Sequence, residues 1–133
     1  MSALAKFTLN KGERICSKKL TDRLFGGGRS HAFTAFPVKT VFMEADRESN
    51  EPQAQILVSV PKRCFKRAVK RNRVKRQIRE AYRHQKSILA TAMEDYPERK
   101  MVIAFIWLDV QLHPSEVVHK RIGQLLERIK EQL

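Results

Sequence analysis

The chain has 133 residues, 42% of them apolar and 31% charged, with 27 Lys and Arg against 14 Asp and Glu for a net charge of +13. This is the length of one domain with a modest core and the composition of a soluble globular protein, which excludes a disordered tail. The most apolar run, Met101 to Leu108, is too short to span a bilayer, and the opening MSALAKFTLNKGER has no signal-peptide pattern. Cys16 and Cys64 lack C-x-x-C spacing or His partners for zinc, so a reducing, cytoplasmic location is expected.

In chain order, residues 1–16 read as a flexible N-terminal arm and residues 17–133 as a single domain. Ser17 is placed to cap a short helix through Phe25, and Gly26-Gly27-Gly28 ends it. Leu20 and Leu24 share one side of that helix. A strand region spans Phe33 to Ala45, interrupted or started at Pro37. Val38, Thr40 and Phe42 point one way within it, and Lys39, Val41 and Met43 the other. A polar loop, Asp46 to Gln53, leads to a second strand, Ala54 to Val60, stopped by Pro61. A basic helix is expected from there to about Met93. After the turn Tyr96–Lys100, Met101–Leu108 is apolar without alternation, the pattern of a strand covered on both faces. His113-Pro114-Ser115 opens a last helix with Val118, Ile122, Leu125, Leu126 and Ile129 on one stripe. The order α-β-β(-β)-α-β-α predicts an α+β sandwich, a small mixed sheet of about four strands with three helices, containing a β-α-β crossover.

The basic helix concentrates the charge. Between Lys62 and Lys86 twelve Lys and Arg face one acid, Glu80, so +11 of the +13 lies in 25 residues. At about 100° per residue, Val74, Ile78, Ala81, Tyr82, Gln85, Ile88, Leu89 and Ala92 fall on one stripe. Asn72, Arg73, Arg76, Arg83 and His84 lie opposite, with Arg79 on the flank. Like charges three and four apart each cost an isolated helix roughly 0.2–0.5 kcal/mol. A merely solvated face would intersperse acids. A nuclear-import peptide needs no amphipathic phase. An outward row of guanidiniums on a rigid support suits phosphates, which they grip bidentately.

The residues then become specific. Val60-Pro61-Lys62-Arg63, Arg67-Ala68, Arg71-Asn72-Arg73-Val74-Lys75-Arg76 and Ile78-Arg79-Glu80 together resemble the signature of the bacterial ribonuclease P protein component. The match is dense over residues 58–83, and the element order agrees across roughly residues 15–130. The resemblance implies a sandwich with a left-handed β-α-β crossover, an exception to the usual hand. It implies a non-catalytic protein subunit of an endoribonuclease that removes the 5′ leader of precursor tRNA by phosphodiester hydrolysis, leaving a 5′-phosphate. Its partners are the ribonuclease P catalytic RNA and precursor tRNA, with no membrane and no DNA expected. Mg2+ is held by the RNA, with no catalytic and no metal-binding residue in the protein.

By the same resemblance, Arg71, Asn72, Arg73, Lys75, Arg76 and Arg79 contact the catalytic RNA, with Lys62 and Arg63 nearby; Arg67, Lys70 and Arg83 complete the expected RNA-binding set. The family holds the leader in a groove between sheet and basic helix, for which Leu20, Leu24 and Phe42 are the candidate walls. Leu20 and Leu24 stand where the family usually has aromatics, which moves expected stacking toward Phe25, Phe33 or Phe36.

Two other functions fit parts of the chain. A generic basic or ribosome-associated RNA-binding protein would share the charge but not the Arg-Asn-Arg context. A self-sufficient nuclease would need clustered acids or a histidine pair, whereas Glu44, Asp46, Glu48, Glu51 and Asp109 are scattered and His31, His84, His113 and His119 show no such spacing.

Overall fold

The computed structural model describes residue 13 and residues 18–26, 28–48 and 50–133. Except for Glu13, the expected arm lies outside the described residues, as do the Ser17 cap and Cys16. Helix α1 spans Lys18–Gly26. Gly28, just beyond it, has φ of 72°, a left-handed conformation that glycine adopts without a Cβ clash.

The strand region is a hairpin. β1 (His31–Ala35) and β2 (Val38–Asp46) pair antiparallel, with Ala35 opposite Val38, so Phe36 and Pro37 form the turn. Pro37 thus separates two strands and sits where no ladder N–H is needed. β3 (Ala54–Ser59) and β4 (Arg99–Trp107) complete a four-stranded sheet in the order β1-β2-β4-β3. β4 is the central partner, antiparallel to β2 and parallel to β3. Its continuous apolar run is buried on both faces, as the lack of alternation implies.

The long basic helix begins later than expected and is interrupted. Lys62 to Arg67 form a turn segment, α2 runs Ala68–Gln85, and α3 resumes at Ser87–Met93, making four helices with α4 (Ser115–Glu131). At the joint, Lys86 Nζ donates to both carboxylate oxygens of Glu13, at 2.9 and 3.0 Å. A cation counted with the basic run is therefore held by the protein's own N-terminal region.

Two apolar layers flank the sheet. On one face Val38, Phe42, Ile56, Ile103, Phe105 and Trp107 pack with Val74, Ile78 and Tyr82 of α2, Leu89 of α3, and the α4 stripe from Val118 to Ile129. On the other, Met43, Ala45, Val102 and Ala104 lie under Leu24 of α1. The expected α4 stripe is buried throughout; of the stripe along α2 and α3, Val74, Ile78, Ala81, Tyr82 and Leu89 are buried against the sheet layer, while Gln85, Ile88 and Ala92 stay half-buried.

The far end of the sheet is closed by polar contacts. Lys100, 4% exposed, donates to the Glu51 carboxylate, which also accepts from Glu48 N–H. These bonds, the lysine's foremost, hold the Glu51 carboxyl below its ordinary value of 4.5. A depressed folded-state pKa stabilises the fold above about pH 4.5, and that contribution is lost as pH falls through the lower folded value. Urea unfolding of wild type and Glu51→Gln should therefore differ at neutral pH and converge in acid. A gap that persists well below the Glu51 titration would show the pair to be stabilising in some other way.

Candidate nucleic-acid interface

Between β3 and α2 the chain puts four cations outside and two apolar side chains inside. Cys64 and Phe65 are each 6% exposed and join the core, while Lys62, Arg63, Lys66 and Arg67 are exposed. Cys64 N–H closes the turn on Pro61 O at 3.0 Å, and the Cys64 thiol faces Trp107 O at 3.7 Å. Arg71 Nη1 reaches back from the helix to Phe65 O at 2.8 Å and Lys66 O at 2.7 Å. The basic turn is thereby clamped onto the first turn of α2.

That first turn has no acid and no side-chain cap. Arg67, Lys70 and Arg71 stand at the positive end of the helix dipole, where cations are unfavourable. Further along, Asn72, Arg73 and Arg76 are exposed on the side opposite Val74, Ile78 and Ala81. Among the described residues no carboxylate pairs with Lys62, Arg63, Arg67, Lys70, Arg73 or Arg76. Several carboxylates are paired away from this row: Glu44 and Asp46 with Arg99, Glu51 with Lys100, Glu13 with Lys86.

The expected cations differ in their environment. Lys75 and Arg79 are half-buried on the flanks. Arg71 is half-buried and spends its guanidinium on backbone carbonyls, so it builds the surface more than it offers charge. Arg83 is tied to Glu80 at 2.8 Å, an i,i+3 pair that holds the Glu80 carboxyl below its usual range. The one acid in the run thus meets part of the Arg83 charge within the helix, while the side chain stays partly exposed.

The groove expected between the sheet and the basic helix is filled. Val74, Ile78 and Tyr82 occupy that space against Ile103 and Phe105. Phe42, 2% exposed, belongs to this layer, while Leu24, 1% exposed, belongs to the layer on the opposite face. The two cannot form one wall. Leu20 is half-buried beside Leu24. The physical reason is parity: Phe42 shares the face of Val38 and Thr40, whereas α1 covers the face of Val41 and Met43.

The open part of the sheet lies on the α1 side. A nine-residue helix is only about 13 Å long against about 30 Å for nine-residue strands, so α1 covers part of that face. Lys39, Leu57, Ser59 and Ile106 are left half-exposed, toward the end where β3 leads into Lys62 and Arg63. Of the aromatics, Phe25 and Phe36 are exposed, at 51% and 55%, and Phe33 is partly buried beneath Arg128, whose guanidinium stands 4.2 Å from the ring centroid.

A model of the ribonuclease P family matches residues 9–130. The chain belongs to the ribonuclease P protein component family. A ribonuclease P protein component of Porphyromonas gingivalis is 37% identical over 131 residues, covering 97% of this chain and 91% of its own length. One from Chlorobium phaeobacteroides is 34% identical over 139 residues, covering 98% and 93%. Among solved structures, the ribonuclease P protein of Staphylococcus aureus superposes with a TM-score of 0.66 at 18% identity, covering 89% of this chain and 95% of that one. The Thermotoga maritima protein gives 0.60 at 18%, covering 84% and 94%. These structures show the ribonuclease P protein fold in the four-stranded mixed sheet and its helices.

The interface geometry separates scaffold from outward charge. Arg71→Ala should lose about 1–2 kcal/mol of stability, since the part-buried Phe65 carbonyl and the exposed Lys66 carbonyl lose a charged donor. Arg73→Ala and Arg76→Ala should each stay within about 0.5 kcal/mol of wild type, as surface changes without partners do. Thermal denaturation checks both. A large loss in the second pair would mean that the α2 phase is wrong.

Proposed function

We propose that the chain is the protein subunit of ribonuclease P and that it binds the catalytic RNA through Lys62, Arg63, Arg67, Lys70, Asn72, Arg73 and Arg76. The observation that carries this reading is the row of exposed cations left without carboxylate partners among the described residues, in a chain of this family. Lys75 and Arg79 contribute from the flanks, and Arg71 by holding the turn in place.

In this reading the protein positions, and the RNA reacts. The magnesium ions that activate water for attack on the scissile phosphate are assigned to the RNA. Among the described residues no three His, Cys, Asp or Glu side chains converge to hold a metal. The 5′ leader of precursor tRNA lies on the open sheet face, where Leu57 and Ile106 offer apolar contact and Lys39 offers charge. Aliphatic side chains cover a base without true stacking, so leader contacts there are weak and tolerant of sequence. No helix among the described residues is long and apolar enough to cross a membrane, and the proposed site of action is the cytoplasm.

Mixed with a bacterial ribonuclease P RNA at low magnesium, the purified protein should restore cleavage of precursor tRNA to a 5′-phosphate product. Arg73→Ala/Arg76→Ala should need roughly 10-fold or more protein to reach the same rate, by loss of two phosphate contacts. No stimulation at any magnesium concentration would remove the reading.

A further inference from the structure

The flank of α2 that meets α4 holds a cleft of about 330 Å3, lined by Arg76, Gln77, Glu80, His84, Ser115 and His119. Three features give it the character of a site. Arg76 brings to its rim a guanidinium that no carboxylate engages among the described residues. Glu80, the acid of the cleft, is already neutralised by Arg83 at 2.8 Å, so it does not repel an anion as a lone carboxylate would. The rings of His84 and His119 stand 6.5 Å apart between centroids, inclined at 47°, one from each helix.

The floor adds an unmet acceptor. Gln77 is only 8% exposed, and its Nε2 donates to His113 O at 3.0 Å and to Ser115 Oγ at 3.1 Å. Those bonds orient the amide and leave Oε1 buried with no donor. A buried acceptor of this kind costs about 1–3 kcal/mol, a cost carried by the packing of α2 on α4, while the two Nε2 bonds fix the floor of the cleft. Beside it α4 starts at Ser115 with no side-chain cap; Val117 and Val118 N–H bond Pro114 O, and the positive end of the helix dipole, offset in part by Glu116, lies at the edge of the same space.

We infer that this cleft takes a single unpaired nucleotide of an RNA, its phosphate on Arg76 and the uncapped start of α4, its base against the His84 and His119 imidazoles. The volume is at the small end of ligand pockets, too small for a duplex. Unpaired bases are also what proteins read in RNA, since A-form grooves hide base edges. The inference rests on the proposed RNA-binding role and deepens it. The outward arginines grip backbone, and the cleft fixes the register of that backbone along α2.

Photocross-linking separates the two. In a Cys16→Ser background, with Cys64 buried and shielded from label, His119→Cys and Arg73→Cys each carry an azidophenacyl group and are bound to a bacterial ribonuclease P RNA. The His119→Cys probe should mark one or two adjacent unpaired nucleotides, and the Arg73→Cys probe neighbouring backbone. Cross-links from position 73 without any from 119, or from 119 only to paired nucleotides, overturn the cleft and leave the RNA-binding role standing. Silence from both overturns both. Independently, His84→Ala/His119→Ala should lower RNA affinity about tenfold with an unchanged melting temperature, the range expected for loss of a stacked base. Unaltered affinity would overturn the cleft.

Discussion

Everything on the outside of α2 depends on what its inside is packed against. Val74, Ile78, Ala81 and Tyr82 are buried on Ile103 and Phe105 of the central strand, so the helix cannot roll to bring its arginines toward carboxylates. Tertiary burial also holds together a helix whose own charges oppose it, with cations at the positive end of the dipole and repulsion along one face. Such a local conflict, maintained by the rest of the fold, is the usual mark of a surface built for a partner.

The disposition of acids makes the same point from the other side. Among the described residues most carboxylate pairs lie away from the outer face of α2: at the far end of the sheet, at the α2–α3 joint, within α4, or in the β4–α4 loop, where Asp109 accepts from His113 at 2.7 Å. The exception, Glu80 with Arg83, sits two turns past Arg73 and next to the α2–α4 cleft. Positive charge is therefore concentrated on the basic turn and the first half of α2. Counterion release from a polyanion is a large free energy that such a surface can tap.

Much of this was legible in the sequence because it rests on period and composition. The 3.6-residue phase of α2 and α4 appears in the spacing of Val74, Ile78, Tyr82 and of Val118, Ile122, Ile129, and the buried strand in an unbroken apolar run. The start of α2 at Ala68 was not legible. Cys64 and Phe65 anchor a turn, but beside Lys62, Arg63, Lys66 and Arg67 they read equally well as a helical stripe. The groove was misplaced for a similar reason. Strand parity puts Phe42 and Val41 on opposite faces, but only the packing shows which face α1 covers. The Arg83–Glu80 pair was visible as i,i+3 spacing. Gln77, Ser115 and His119 gave no sequence signal, since their convergence depends on how α2 crosses α4.

The most direct measurement is the salt dependence of binding to a bacterial ribonuclease P RNA, for wild type and for Arg73→Ala/Arg76→Ala. If six to ten phosphates are neutralised, wild-type affinity should fall by about 10³–10⁵ between 50 and 200 mM salt. The double variant should show a log–log slope shallower by about two, one per lost phosphate contact. A wild-type affinity flat in salt, or a slope unmoved by removing both guanidiniums, would contradict the view that α2 holds them out for an anionic polymer.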